Sequence, residues 1–238
     1  MALWLDRAKR AEKAPFIFLL FIYVLSSYRP LGTIARVVLL REDHLFESIS
    51  AIFLLSSSIL LLISAIKAKS NRLSKKYSNK LLALATTIFI WFAEEISWGQ
   101  RILNYNIPSL ESINYQSETT IHNLSIIQGG SFNFLHYSYF LVFLTAALLC
   151  ILPGKKDPET FSLTPSSELF YYFFLPAAYY FIGQIMQDIP IEIHGYTIGP
   201  EHTHKFQEAY EFLLAAGVLK FSIEKFKTIT KPNLPNPN

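Results

Sequence analysis

Trp91-Phe92-Ala93-Glu94-Glu95-Ile96-Ser97-Trp98-Gly99-Gln100-Arg101 sets two adjacent carboxylates at the end of an apolar run. Carboxylates bordering hydrocarbon are costly, and a chain that keeps them usually uses them. Whether this run is a buried strand, a core helix or a membrane span decides the fold, and the rest of the chain answers. Half of its 238 residues are hydrophobic (51%) and 16% are charged, against about a quarter charged in an ordinary soluble domain. The 15% aromatic content suits rings placed at membrane interfaces. The single Cys150 excludes a disulfide framework and a cysteine-rich metal site.

Apolar runs of about bilayer length, roughly 20 residues, recur at 14–28, 48–66, 81–100, 133–152, 168–186 and 206–223. The sequence therefore predicts an all-α fold: a polytopic integral membrane helix bundle of six transmembrane helices. It forms one domain over 1–228 with a disordered tail at 229–238, where prolines and asparagines replace any helical pattern. The first run is the shortest, and Arg7, Lys9, Arg10 and Lys13 before it also fit a signal peptide. No small-x-small cleavage site comes after Ser26-Ser27, which favours a retained helix. Residues 31–40 extend it as an interfacial helix, and no internal repeat is present.

Charge distribution sets the orientation. With the N-terminus inside, sixteen of the 21 Lys and Arg fall on the inner segments. Twelve of the 18 acids and all six histidines fall outside, so the inner side nets +10 and the outer side −7. This positive-inside pattern predicts both termini cytoplasmic. The basic loops read as topology determinants in contact with anionic lipid, and nucleic acid is not expected as a partner.

Three outer segments carry the candidate chemistry. On a continued helix, Glu94, Ser97, Trp98 and Arg101 share one face, with Glu95 about 100° round from it. The loop 102–132 contains Ser117-Glu118-Thr119-Thr120-Ile121-His122-Asn123-Leu124. There Glu118 and His122 are helically spaced, and Ser117 or Thr119 is placed to cap a short helix. The last helix, opened by Pro200, carries Glu201, His204, Glu208 and Glu211 as one stripe entering the membrane. A helix dipole accounts for Glu201 but fades before Glu208 and Glu211. His202 points away from His204, His44 reads as a solvated or capping residue, and His136 as an interfacial one. Gln184, Gln187 and Asp188 close the fifth helix on the same side, and 188–199 reads as an extended hairpin.

Helix bundles build metal sites from Glu and His on facing helices. Glu94, His122, Glu208 and Glu211 form such an oxygen and imidazole set, suited to a divalent metal such as Zn, Mn or Fe. Glu95 would act as general base on metal-bound water, and Arg101 would hold an anionic headgroup. The expected reaction is metal-dependent hydrolysis or group transfer on a lipid or lipid-linked substrate, with the lipid bilayer as partner. Two alternatives stand beside it. In one the same acids serve a small cation or proton transporter. In the other they fix helix register in an accessory or assembly subunit of a membrane complex.

The string Glu94 to Arg101, then Gln116 to Leu124 and the acidic last helix from Glu208, resembles a group of bacterial multi-pass membrane proteins of unassigned activity. That group carries a Glu-Glu-Ile-Ser-Trp-Gly-Gln-Arg motif and then Gln-Gly-Glu before His-Asn-Leu. Ser117 stands here where the resemblance implies Gly. The resemblance also implies the bacterial inner (plasma) membrane. A fainter likeness is to the intramembrane metal hydrolases related to alkaline ceramidases. Their His-x-x-x-His pair is replaced here by His202-Thr203-His204.

Overall fold

The computed structural model describes residues 11–27, 32, 38–40, 45–71, 73–103, 105, 107–114, 119–121, 124, 134–152, 163–188, 191–193, 196–198 and 206–230. These residues are overwhelmingly helical. The long helices are α1 (Ala14–Ser27), α2 (Leu45–Ser70), α3 (Lys75–Glu95), α6 (Phe134–Ile151), α7 (Phe170–Asp188) and α8 (Gln207–Thr230). Two one-turn helices, α4 (Gln100–Leu103) and α5 (Pro108–Glu111), come after α3, and a 3-10 turn at Ser167–Leu169 leads into α7. The expected hairpin is present as two antiparallel strands, β1 (Ile191–Ile193) and β2 (Tyr196–Ile198), in register Ile191↔Ile198.

The six long helices match the six apolar runs, with corrected ends. Helix α2 extends beyond 48–66 at both ends, and α3 starts six residues before 81 and stops at Glu95 rather than 100. The last helix continues through Ile229 and Thr230, the first two residues of the expected tail. Ile229 is buried and its carbonyl accepts a hydrogen bond from Asn71 Nδ2 at 3.3 Å, which ties the ends of α8 and α2 together.

Helix direction alternates along the chain. At one end of the bundle Glu12 pairs with Lys220 and accepts from the Tyr172 hydroxyl at 3.0 Å. Glu12 N donates to the Glu168 carbonyl at 3.1 Å, and Ser166 donates to Glu224 at 2.7 Å. The starts of α1, α3 and α7 and the ends of α2, α6 and α8 lie at this end. The opposite end carries the start of α8, where Phe206 packs on Tyr23 near the end of α1.

Packing is closest between α2 and α3, between α2 and α8, and between α6 and α7, while α7 against α8 joins the two halves. The buried side of α2 is a seam of small and aliphatic residues, Ser50, Leu54, Ser57, Leu61, Ser64 and Ala68, at alternating steps of four and three. Small residues let helix backbones approach closely, and their hydroxyls need partners. Ser50, Ser57 and Ser64 each donate to the carbonyl four residues back. Ser58 crosses to the Ala85 carbonyl and Ser78 crosses back to Ala65, at 3.0 and 2.9 Å. Phe18, Phe46, Phe53 and Phe212 stack α1, α2 and α8 together.

The outward faces are as apolar as the core. Phe16, Ile17, Leu20 and Phe21 on α1 are exposed, as are Ile52, Ile59 and Ile66 on α2. So are Leu82, Phe89 and Ile90 on α3, Leu141, Val142 and Leu148 on α6, and Phe174, Phe181 and Ile182 on α7. Among the described residues, one helix, α2, is long and apolar enough to cross a membrane, with a mean hydropathy of 2.4 in its best window. Its 26 residues span about 39 Å at roughly 1.5 Å per residue. Helix α8 sits inside the others: every residue in it is buried or half-buried except Lys227 and Thr228.

Candidate functional site

Helix α3 ends where its carboxylates stand, and the chain then enters a left-handed turn. Ile96 caps the helix, and Ser97 (φ 49°), Trp98 (φ 54°) and Gly99 (φ 84°) all take positive φ. Glycine adopts this region freely, whereas each L side chain there is strained. Surrounding bonds hold the turn. Gly99 N donates to the Ile96 carbonyl at 2.9 Å, and Tyr105 donates its hydroxyl to the Trp98 carbonyl at 3.1 Å. Thr119 adds two contacts: its Oγ1 donates to the Ser97 carbonyl at 2.7 Å and its amide to Gln100 Oε1 at 2.8 Å. The expected single helical face through Glu94, Ser97, Trp98 and Arg101 is therefore not formed, because the backbone reverses hand between Glu95 and Gln100. The expected cap at Thr119 is also replaced: residues 119–121 are non-helical and dock on the α3 turn.

The turn sends the two carboxylates to different partners. Glu94 faces the loop, where it accepts from Trp98 Nε1, and its Oε2 accepts from the Ile121 amide at 2.8 Å. Glu95 faces the bundle, where its Oε1 accepts from Trp91 Nε1 at 2.8 Å. Glu95 lies within electrostatic range of Glu211 foremost, then of Glu47 and Glu94.

Helix α8 supplies the facing acids. Glu211 Oε1 accepts from the Tyr180 hydroxyl at 2.6 Å and from Gln207 Nε2 at 2.9 Å. Glu208, one turn earlier, is buried at 8% exposure. Tyr139 on α6 stands within electrostatic range of Glu211, Glu95 and Glu94, and packs on Tyr180 with ring centroids 5.4 Å apart. Carboxylates from α2, α3 and α8 thus share one end of the bundle, with tyrosines from α6 and α7 between them.

Of the residues singled out in the sequence, Glu95 lies within electrostatic range of Glu211 and Glu94, and Glu208 precedes Glu211 by one turn of α8. His122 lies outside the described residues, as do Ser117, Glu118, Glu201, His202, His204, His44 and His194; so do the side chains of Arg101, His136, Gln184, Gln187 and Asp188. Among the described residues no group of three His, Cys, Asp or Glu side chains is placed to hold a metal ion. Glu94, Glu208 and Glu211 thus do not form such a group by themselves. Sequence reasoning passed over three members of this end. Glu47 sits in the first turn of α2, where a helix dipole already explains an acid. Tyr139 and Tyr180 are hidden among aromatics, and their one distinguishing signal is position in the turns facing the acids.

No protein-family model, curated protein or solved structure matches the chain.

Proposed function

We propose that the chain is a six-span integral membrane protein of the bacterial inner membrane, with both termini cytoplasmic. Two observations support the spans. Helix direction alternates along the six long helices, and α1, α2, α3, α6 and α7 all turn large apolar side chains outward, more than a water-facing surface carries. Helices α3 and α8 keep charged ends, which a helix lined by protein tolerates better than one facing lipid.

The acidic end then holds a divalent metal, Zn, Mn or Fe, for hydrolysis or group transfer on a lipid or lipid-linked substrate. Glu94, His122, Glu208 and Glu211 are its ligands, Glu95 is the general base, and Arg101 receives an anionic headgroup. The observation that carries this reading is the Ile121 amide on Glu94. It draws the loop onto Glu94 at the end of α3, and His122 is the next residue in the chain. The test is turnover of a panel of phospholipid and polyprenyl-linked substrates by the detergent-purified full chain, read by mass spectrometry. Product that vanishes with chelator and in Glu95→Gln supports the reading, and turnover indifferent to both overturns it.

One observation favours a second reading, that of an accessory subunit. Glu94, Glu95 and Glu211 each already accept hydrogen bonds from neighbouring side chains or backbone, so the same groups serve to lock helix register. A Glu95→Gln chain that turns over nothing in either form, yet loses a membrane partner, supports that role.

A further inference from the structure

The end of the bundle away from the acids carries a feature that the metal reading does not use. The hairpin joining α2 to α3 is short and tied by hydrogen bonds. Asn71 N donates to the Lys67 carbonyl at 2.8 Å, Leu73 N to Ala68 at 2.9 Å, and Ser78 Oγ reaches the Ala65 carbonyl at 2.9 Å. Asn71 also clamps the hairpin to α8. On this frame Lys67, Lys69, Lys75, Lys76 and Lys80 are all exposed. The sequence holds no Asp or Glu between Glu47 and Glu94. Lys67 lies 5.1 Å from the Phe226 ring centroid, whereas Lys69, Lys75, Lys76 and Lys80 make no ion pair among the described residues.

A helix dipole does not account for this arrangement. It favours Lys67 and Lys69 at the end of α2 but opposes Lys75 and Lys76 in the first turn of α3. That turn has no acid, and Ser74 gives no side-chain cap. The lysines therefore concentrate positive charge that no acid on the neighbouring turns of α2 or α3 offsets. One or two turns away the same helices expose Leu62, Ile63, Ile66 and Leu82. A basic rim beside an exposed apolar band is the profile of a headgroup layer over acyl chains, with long lysine stems reaching from one to the other.

We propose that the α2–α3 hairpin is a docking surface for anionic phospholipid headgroups, engaged by Lys69, Lys75, Lys76 and Lys80 while Leu62, Ile66 and Leu82 contact the adjoining chains. This rests on the membrane-spanning reading, and it names the lipid class gathered at the inner side.

The test is the full chain reconstituted in phosphatidylcholine vesicles with spin-labelled phosphatidylglycerol or phosphatidylcholine, read as the motionally restricted lipid fraction. The expected relative association constant for phosphatidylglycerol over phosphatidylcholine is about threefold, from several lysines near a charged surface. It falls to about one in the Lys69, Lys75, Lys76, Lys80→Gln variant and in molar salt, by screening, and it survives in the corresponding Arg variant. A restricted fraction without phosphatidylglycerol preference, an unchanged preference in the Gln variant, or capture of duplex DNA in its place overturns the proposal while leaving the membrane reading intact. Absence of any restricted fraction overturns both.

Discussion

The backbone amide of Ile121 donates to Glu94 Oε2 at 2.8 Å, so the loop after α5 is fastened to the last turn of α3 by a side chain 27 residues earlier in the chain. Trp98 Nε1 reaches the same carboxylate. Glu94→Ala removes both acceptors and leaves two donors to find others. Both donors are exposed, so water can take them, and the expected cost is about 0.5–1.5 kcal/mol, with faster hydrogen exchange at Thr119 and Ile121. Glu94→Gln keeps one acceptor oxygen and should lose less protection. Equal exchange in wild type and Glu94→Ala would show that the carboxylate does not hold the loop.

Gly99 sits at φ 84° at the end of the left-handed turn. A Cβ there meets no closer atom than Leu103 Cδ1 at 3.8 Å, so the penalty for Gly99→Ala is conformational and not steric. It should cost about 1–2 kcal/mol, read as a lower midpoint in thermal denaturation of the detergent-purified chain. Deletion of the Thr119 hydroxyl, as Thr119→Val, removes a support of the same turn. Their effects should be non-additive because both act on one strained segment.

Gly217 tests the junction of the two halves. A Cβ built on it would stand 2.7 Å from Tyr172 Cβ, so α7 and α8 touch through the absence of a side chain. Gly217→Ala should destabilise by about 1–3 kcal/mol through overpacking. A double-mutant cycle with Tyr172→Gly, which removes the Cβ that the new methyl meets, should show strong coupling, whereas additive effects would place the contact elsewhere.

Tyr180 is buried and donates to Glu211 at 2.6 Å. Tyr180→Phe keeps the ring packing on Tyr139 and Phe143 and removes only the donor. A hydrogen bond to a charged acceptor contributes about 1.5–3 kcal/mol, so stability should fall by that order. If Glu211 binds an ion, apparent affinity should change as well. A Tyr180→Phe chain as stable as wild type would mean that the other partners of Glu211, Gln207 among them, suffice to hold it.

Periodicity and hydropathy located every long helix among the described residues, because burying or exposing twenty apolar residues leaves a pattern that no loop imitates. The hairpin at 191–198 was also legible, from its alternating isoleucines. The hand reversal at Ser97–Gly99 was not. Gly99 alone hints at it, while Ser97 and Trp98 are held at positive φ by partners farther along the chain, notably Thr119 and Tyr105. The same limit hid Glu47, whose role depends on which helix faces α3. It hid Glu12 too, whose partners Lys220 and Tyr172 lie 208 and 160 residues away.

Whether the acidic end binds a metal is decided by the metal content of the purified full chain, measured by elemental mass spectrometry beside Glu94→Gln, Glu211→Gln and His122→Ala. A metal site at these residues predicts close to one Zn, Mn or Fe per chain in the wild type, and loss of most of it in each variant at unchanged helix content. A folded wild-type chain that binds none of these metals, before or after incubation with them, would contradict it.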